Sequence, residues 1–393
     1  MSGGPSPRVL RLGMVGGGSG AFIGAVHRMA AGLDSRFRLV AGALSSDASR
    51  SLASAKELGI EGFRAYGTWQ DMLERESALP RDQRIDAVAI VTPNATHFAI
   101  ASAFAQRGIH LIIDKPMVTT LVDAVALREI TRKAGVVCCV TYNYSGYPMI
   151  RHAASLVRDG ALGAIRKVVV EYHQGWLATP LERTGQKQAA WRNDPSQAGA
   201  GGSIGDIGTH AEQLLRAVTG LRIRELASDL TTFVDGRALD DDAHILVRLS
   251  GPNASAKAKG LITVSQVCVG EQNNLTLRVY GERASLWWRQ EDPNSLTLAT
   301  LDGPTQTLTR GTVASPSATA ATRLPPGHPE GFIEAFANIY RGAADAILAK
   351  ESSPTAPTAT NYPSVEDGVS GIAFIDACIR SRAANGAWVA VGE

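Results

Sequence analysis

Short apolar runs alternate with helical patterns through the first third of the chain, from Leu10 to about Asn143. This alternation is typical of a parallel sheet that is wrapped by helices on both faces. We therefore predict an α/β fold whose first part is a doubly wound parallel sheet. Its five predicted strands are Leu10–Val15, Arg38–Leu44, Asp86–Val91, His110–Ile113 and Val136–Tyr142.

The pattern changes after the fifth strand. A helix over Met149–Asp159 and a strand over Ile165–Tyr172 precede a polar segment, Gln174–Ala200, which has no clear period. A loop of that length is usually either functional or disordered. The apolar runs after residue 220 follow one another without helices between them, which indicates an antiparallel sheet. They are Ile223–Phe233, Ala243–Leu249, Gly260–Val269, Leu275–Tyr280, Ala284–Arg289 and Leu296–Leu301.

The chain from Thr305 onward contains two unstructured patterns, two helical ones and a short strand. Thr305–Pro326 is rich in Thr, Ala, Ser and Pro and predicts a long excursion. A helix then begins near Pro329, which fits a first helical turn, and runs to Ala349. A linker, a final helix and a short strand close the chain at Ser352–Pro363, Val365–Ala384 and Trp388–Val391.

Length and charge set the number of domains and exclude two classes of partner. A chain of 393 residues is too long for one ordinary core, so we predict two domains, residues 1–143 and 144–393. The 45% of hydrophobic residues and the net charge of +2 are typical of a soluble enzyme. Because the cationic residues are scattered and no apolar run could cross a bilayer, we expect neither nucleic acid nor membrane as a partner.

The leader and the cysteines indicate a cytoplasmic protein. Residues 1–7 lack the apolar segment behind a basic start that a signal peptide needs. The cysteines have no metal-ligand spacing, so we predict no metal site. The first three lie in apolar runs of β character, and we interpret all four as buried thiols in a reducing compartment: Cys138, Cys139, Cys268 and Cys378.

The first strand runs into a glycine-rich turn, and a helical pattern follows it. Pyrophosphate binding needs a tight turn, bare backbone near the phosphate oxygens and a helix N-terminus. The third glycine position of the usual fingerprint holds Ala21, a tolerated variant, and Gly24 comes later. The turn therefore predicts a dinucleotide site, with cofactor contacts from Gly16, Gly18, Ser19, Gly20, Ala21 and Phe22.

The end of the second strand bears on the choice between NAD and NADP. An acidic residue about 20 positions beyond the last glycine would bind the adenosine ribose of NAD. Ser45 and Ser46 stand there instead, with Asp47 slightly late and Arg50 within reach of a 2′-phosphate. The serines and the arginine suit NADP, whereas Asp47 suits NAD after a small shift of the loop. We predict NAD, with NADP as the alternative.

Polar residues also follow the third strand. Thr92, Pro93 and Asn94 come directly after it, and His97 opens the next helix. Ligands of open α/β sheets bind at the carboxyl ends of the strands, so we expect all four residues to line the cofactor site. A helix cap with a turn proline explains the first three equally well.

The fourth and fifth strands bring further candidates to the same edge. Asp114-Lys115-Pro116 ends the fourth strand, and Asn143-Tyr144 follows the fifth. A lysine near a nicotinamide can donate a hydrogen bond to the reacting oxygen and help its proton leave. We assign Asp114, Lys115 and Asn143 to the cofactor, and Lys115 and Tyr144 to the substrate.

A second glycine-rich stretch, Gly201–His210, concentrates a carboxylate and an imidazole where a helical pattern begins. If the helix starts near Ile204, Asp206 and His210 are one turn apart on one face and can exchange a proton with a bound hydroxyl. The alternative is a glycine-rich loop whose aspartate only complements the helix dipole.

Aromatic and cationic residues of the polar segment are the remaining substrate candidates. They suit a sugar ring that carries an anionic group, although a solvated surface loop with two anchoring tryptophans is the alternative. His328, before the last long helix, is free either to face the pocket or to act as a cap. The segment's candidates are Trp176, Arg183, Lys187, Trp191 and Arg192.

Four motifs together resemble the Gfo/Idh/MocA family of nicotinamide-dependent oxidoreductases: the glycine turn, Thr92-Pro93-Asn94-x-x-His97, Asp114-Lys115-Pro116, and the stretch from Gly201 to His210. The resemblance spans nearly the whole chain. It implies a Rossmann domain followed by an α/β domain with a large, open, mostly antiparallel sheet that often forms subunit contacts. It also implies that Lys115, Asp206 and His210 are catalytic. Asp114 departs from the family's commoner glutamate but keeps its charge.

These expectations favour an enzyme that oxidises a secondary hydroxyl of a sugar, glycoside or cyclitol, as a homodimer or homotetramer joined through the second sheet. In it, His210 takes the hydroxyl proton while Lys115 and Asp206 orient the oxygen. Two alternatives stay open. One is a glycoside hydrolase that uses NAD for a transient oxidation, with sulfonated glucosides as candidate substrates. The other is a cofactor-sensing regulator without turnover, which the intact catalytic set disfavours.

Overall fold

The structure is a computed structural model that describes residues 8–313, 315–353 and 361–392. The predicted leader, residues 1–7, and most of the predicted linker, residues 354–360, lie outside the described residues. Among the described helices, none has the length and apolar character that crossing a bilayer requires.

A five-stranded parallel sheet with strand order β2-β1-β3-β4-β5 forms the first part of the chain, which confirms the predicted doubly wound layout. The fifth strand is shorter than predicted, because the chain turns back after Val140 and the amide of Tyr142 donates to the Val140 carbonyl. The strands are β1 Leu10–Gly16, β2 Phe37–Ala43, β3 Ala87–Val91, β4 His110–Ile113 and β5 Cys138–Val140. The helices are α1 Phe22–Leu33, α2 Ala48–Glu57, α3 Trp69–Ala78, α4 His97–Gln106 and α5 Leu121–Ala134.

A nine-stranded sheet dominates the second part, with the order β13-β12-β11-β10-β6-β9-β8-β7-β14. Its neighbours pair antiparallel except β6 and β9, so the predicted open, mostly antiparallel sheet is confirmed. The strands are β6 Ile165–His173, β7 Arg222–Thr231, β8 Asp242–Ser250, β9 Ala254–Ser265, β10 Asn274–Gly281, β11 Ala284–Arg289, β12 Asp292–Thr300, β13 Gln306–Thr309 and β14 Val389–Ala390. The helices are α6 Pro148–Arg158, α7 Lys187–Arg192, α8 Pro195–Ala198, α9 Thr209–Thr219, α10 Pro316–Ala321, α11 Phe332–Ser352 and α12 Val365–Ala383.

Helix α11 returns to the first sheet. Its buried face, which includes Phe336, Ile339 and Tyr340, packs with Leu12 and Ile112 in one hydrophobic core. The second part of the chain therefore supplies part of the helical layer that covers the first sheet. The division at residue 143 stays a prediction.

Several predicted boundaries were wrong for physical reasons. The strand predicted from Gly260 begins at Ala254, because exposed lysines alternate along its start and hide the apolar pattern. It ends at Ser265, so Cys268 lies beyond it and is only partly buried. The predicted excursion Thr305–Pro326 contains β13 and α10. Helix α11 begins at Phe332 rather than Pro329, where Glu334 accepts the Gly331 amide.

Candidate active site

Three neighbouring cavities follow the carboxyl ends of the first sheet. Their volumes are about 490, 340 and 750 Å³. Gly17, Ser45 and Thr92 line both the first and the second cavity, whereas Lys115 and Arg192 line both the second and the third. Because neighbours share walls, the three form one groove that leads from the end of β2 to the catalytic candidates.

The glycine turn is built for close approach of backbone. Gly16, Gly17 and Gly20 have φ of 78°, 68° and 79°, values that side-chain-bearing residues rarely adopt. A Cβ on Gly18 would lie 2.7 Å from the Leu44 carbonyl oxygen, and one on Gly24 would lie 2.2 Å from the Gly17 carbonyl oxygen. The turn thus keeps bare backbone against the groove at the start of α1, and it fits the pyrophosphate of a dinucleotide.

The residues predicted for the adenosine end lie close to the groove. Ser45 and Ser46 line the 490 Å³ cavity, and Arg50 lines the 340 Å³ cavity. Asp47 caps α2 instead, since its carboxylate accepts the Arg50 amide at 2.8 Å. Gly20, like Asp47, is not among the residues that line the three cavities.

Some of the residues after β3 line the cavities, and one is buried behind them. Thr92 and Pro93 line two of the cavities, and Asn94 lines the 340 Å³ cavity while its side-chain amide donates to the Ala198 carbonyl at 3.0 Å. His97 is fully buried, with its ring nitrogens 3.1 and 2.9 Å from the carbonyl oxygens of Pro116 and Thr92. It is not among the residues that line the three cavities. It lies between the turns that follow β3 and β4, and its single N–H can donate to one of the two carbonyls.

Asp206 is the centre of a charge cluster beside the 750 Å³ cavity. The Lys115 ammonium lies 2.6 Å from one carboxylate oxygen, and Arg192 Nε lies 3.2 Å from the other. Gln266 also donates to that second oxygen at 2.9 Å. Burial alone would raise the pKa of Asp206, but the charges of Lys115 and Arg192 outweigh it and hold the pKa well below its usual range.

His210 lies beside this cluster and is surrounded by the rings of three tyrosines. Its ring centroid is 4.7 Å from that of Tyr144, 5.7 Å from that of Tyr142 and 6.3 Å from that of Tyr172. Its Nδ1 is buried and has no hydrogen-bond partner among the described residues. Burial, and then the positive charge of Lys115, lower the pKa of His210 well below its usual value. The imidazole is therefore neutral at pH 7 and able to accept a proton.

The lowered pKa of His210 predicts the acid side of the activity profile. A neutral base keeps working until the pH falls to its pKa, so the acid limb of kcat/KM for alcohol oxidation should lie well below the ordinary histidine pKa of about 6.5. The same burial makes unfolding easier as the pH falls below about 6.5, since the unfolded imidazole then binds a proton that the folded one rejects. Initial rates between about pH 4.5 and 9, with unfolding followed separately, check both expectations. An acid limb at about pH 6.5 or above would contradict the first.

The backbone that carries Asp206 and His210 differs from the predicted α-helix. Ile204–Gly208 form a π-helical turn, and α9 continues from Thr209, so the two side chains are not related by an ordinary i, i+4 spacing. The buried carboxylate of Asp240 accepts the amides of Gly202 and Ile204 at 2.7 and 2.9 Å. This residue lies in a distant turn, and no pattern in the sequence connected it with the site.

Replacing Asp240 tests whether its hydrogen bonds to the Gly202 and Ile204 amides hold the turn that carries Asp206 and His210. We expect Asp240→Ala to lower the free energy of unfolding by about 2–4 kcal/mol, because it leaves buried amides without an acceptor. Turnover should fall as well, since Asp206 and His210 follow directly. Denaturant titration with kinetics checks this, and exposed Asp229→Ala on β7 serves as the control. Equal effects of the two variants would contradict the assignment.

A wall of neutral polar side chains closes the 750 Å³ cavity. The Tyr172 hydroxyl lies 2.6 Å from that of Tyr144 and donates to Asn273 at 2.7 Å, and Gln174 links Asn273 to the indole of Trp176. Tyr144 and Trp176, which were predicted to bind the substrate, line this cavity. Sequence reasoning missed the other three, because isolated amides and phenols carry no periodic signal. The buried Nδ2 of Asn143, which also lines this cavity, has no partner among the described residues and is free to donate to a ligand.

Four predicted substrate residues are placed differently. Arg183 is exposed and donates to the Asp235 carbonyl, outside the three cavities. His328 is also exposed, and its carbonyl accepts a hydrogen bond from Arg310. Lys187 and Trp191 line the 340 Å³ cavity rather than the larger one. Of the predicted cations in the polar segment, only Arg192 lines the 750 Å³ cavity. Phe22, predicted for the cofactor, lines it too.

Comparison with family models matches both parts of the chain. Residues 10–142 match the model described as "Oxidoreductase family, NAD-binding Rossmann fold". Residues 150–287 match the model of the GFO/IDH/MocA C-terminal domain.

Solved structures and one curated relative are similar to this chain over almost its full length. An inositol dehydrogenase homolog from Azotobacter vinelandii is 37% identical to this chain in each of two solved structures. The structure with NAD⁺ has a TM-score of 0.93 and covers 98% of this chain and 97% of its own. The structure with NADH and myo-inositol has a TM-score of 0.90 and covers 98% of each chain. An oxidoreductase from Sinorhizobium meliloti is 46% identical, with a TM-score of 0.87 and coverage of 98% and 100%. An uncharacterized oxidoreductase of Bacillus subtilis is 34% identical over 97% of this chain and 96% of its own.

Proposed function

Because this chain belongs to the GFO/IDH/MocA family of oxidoreductases with an NAD-binding Rossmann domain, we propose that it oxidises a secondary hydroxyl of an uncharged sugar, glycoside or cyclitol with NAD. One observation carries this proposal: Lys115, Asp206 and His210 converge on a cavity with neutral polar walls at the end of the dinucleotide groove. The structure of the homolog with NADH and myo-inositol supports the same class of substrate.

The chain's own residues supply binding and proton transfer. The glycine turn from Gly16 to Gly18 would hold the pyrophosphate, and Ser45 and Ser46 would contact the adenosine ribose. Bound NAD supplies the hydride acceptor. The Lys115 ammonium donates to the substrate oxygen, and neutral His210 accepts the hydroxyl proton. Asp206 holds Lys115 in place through their 2.6 Å contact.

The cavity's charges favour an uncharged substrate over an anionic glycoside. Lys115 and Arg192 are the cations among its lining residues, and both already bond to Asp206. Arg183, a candidate partner of a sulfonate, lies elsewhere. A sulfonate would thus need to compete with Asp206 for its cations, whereas hydroxyl groups can pair directly with the amides and phenols of the wall.

A substrate panel tests the proposal. The purified protein would be incubated with NAD and neutral cyclitols, aldoses, anhydrosugars and glycosides, alongside sulfonated and carboxylated glycosides, while NADH absorbance is recorded. We expect NADH formation with at least one neutral compound and none with the sulfonated ones. Turnover confined to anionic glycosides would contradict the substrate class. No turnover on any compound, with NAD still bound, would favour the regulator.

The outer face of the second sheet is our proposed subunit contact. A shallow cavity of about 1100 Å³ lies there, and its lining includes Leu246, Arg248 and Trp388 but none of the catalytic candidates. Leu246 is 52% exposed at this face. We expect a homodimer or homotetramer by light scattering, and Leu246→Glu should weaken it.

We also propose a cytoplasmic location, since all four cysteines are free.

A further inference from the structure

The short helix α7, Lys187–Arg192, belongs to the second part of the chain but faces the dinucleotide groove. Lys187, Gln188 and Trp191 line the 340 Å³ cavity, to which the glycine turn contributes Gly18 and Ser19. Residues from both parts of the chain therefore line this section of the groove.

Lys187 is an exposed cation in the wall of this cavity. It forms no ion pair with any residue that the structure describes. Gly17, Gly18 and Ser19 of the glycine turn line the same cavity, and so does Arg50. A diphosphate that is seated against the glycine turn would have the Lys187 ammonium in the same cavity as a neutralising charge.

Arg192, at the other end of α7, reaches the catalytic cluster. Its Nε lies 3.2 Å from Asp206, and its guanidinium carbon lies 4.3 Å from the Trp191 ring centroid. Its Nη1 also donates to the Gln188 side chain at 2.5 Å. The Trp191 ring and the Gln188 side chain fix the direction of the Arg192 guanidinium. The position of α7 therefore decides whether Arg192 reaches Asp206.

Two glycines flank the segment that carries α7. Gly185 and Gly199 have φ of 83° and 93°, and the Ala198 carbonyl just before the second glycine is held by Asn94 of the first domain. The backbone can turn at both points because neither residue carries a side chain. The contact of Arg192 with Asp206 ties α7 to the catalytic cluster between these two turning points.

We propose that α7 is a clamp on the dinucleotide, in which Lys187 binds the diphosphate and Arg192 positions Asp206 when the clamp is closed. The proposal rests on the dinucleotide site proposed above and goes beyond it. It makes Arg192 a positioning residue, and it links occupancy of the groove to the charge cluster that holds Lys115.

Hydrogen exchange tests the clamp directly in the full-length protein. With saturating NADH, amides of residues 187–198 should exchange at least about fivefold more slowly than without it, because the closed helix opens less often. A peptide from α5, Leu121–Ala134, serves as the internal reference. Protection that is confined to the glycine turn and the ends of β1 and β3 would overturn the proposal.

Binding measurements separate Lys187 from a general effect of charge. By fluorescence titration, Lys187→Gln should raise the Kd for NADH about tenfold, whereas Lys187→Arg should stay within about threefold. Lys133→Gln at the exposed end of α5 makes the same charge change far from the groove and should leave the Kd unaltered. Equal Kd values for Lys187→Gln and Lys133→Gln would overturn the assignment.

Kinetics and hydrogen exchange test the role of Arg192. Arg192→Gln should lower kcat about tenfold more than it changes KM, and it should reduce the NADH-induced protection of α7, since the helix loses its contact with Asp206. A wild-type protein that binds no NADH would refute the proposed function. If the wild-type protein binds NADH but NADH does not slow exchange in α7, and the α7 substitutions do not change the Kd or kcat, only the clamp would be refuted.

Discussion

His210→Ala should lower kcat by about 10³-fold while leaving the Kd for NADH within about twofold of the wild type. His210 lines the substrate cavity and not the two cavities that follow the glycine turn and β2. Its neutral imidazole is the proton acceptor in the proposed reaction, and alanine offers no replacement. Steady-state kinetics on the substrate found by the panel, with NADH titration, measure both quantities.

His328→Ala is the matched control for that variant. His328 is exposed, accepts a hydrogen bond from Arg310 through its backbone carbonyl, and lies outside the three cavities. It should retain wild-type kcat and KM. If His210→Ala kept more than about a tenth of the wild-type kcat, its imidazole would be a structural part of the tyrosine cluster and not the base.

Lys115→Ala should have the second large effect, a fall in kcat of about 10³-fold with a rise in KM. The substitution removes the donor to the substrate oxygen and the ammonium that lies 2.6 Å from Asp206. It also removes a positive charge that lowers the pKa of His210. The acid limb of the residual activity should therefore move to higher pH.

This shift separates an electrostatic role from a merely structural one. Lys167→Ala, at an exposed position of β6, removes the same charge far from the site and should change neither rate nor profile. A large loss of activity in Lys115→Ala without an upward shift of the acid limb would contradict the described coupling between Lys115 and His210.

The parts of the site that could be predicted from sequence follow from strand order. Because parallel strands end at one edge of their sheet, Thr92, Lys115 and Asn143 could be assigned to the same groove from the alternating pattern alone. The glycine turn was recognisable because the physical demands of a pyrophosphate site are local. The glycine-rich stretch Gly201–His210 marked Asp206 and His210 as candidates, and the family resemblance joined them to Lys115, which lies in a distant segment.

The parts that could not be predicted depend on contacts between distant residues. Helices α7 and α8 have only six and four residues, too few to form alone, and contacts such as that of Asn94 with Ala198 hold them. Likewise, the π-turn at Asp206 depends on Asp240. The sequence shows that Arg183 and His328 are chemically suitable, but not where their side chains point.

The stoichiometry of cofactor and product tests the central claim, that the protein is a net dehydrogenase, most directly. The measurement uses a neutral glycoside with a detectable aglycone, in heavy water, with NAD either in excess or far below the substrate. We predict one NADH per oxidised product, turnover limited by the NAD supplied, and no aglycone release. Release of aglycone in many-fold excess over NAD, with deuterium at C2 of the sugar, would contradict the account and establish the redox-assisted hydrolase instead.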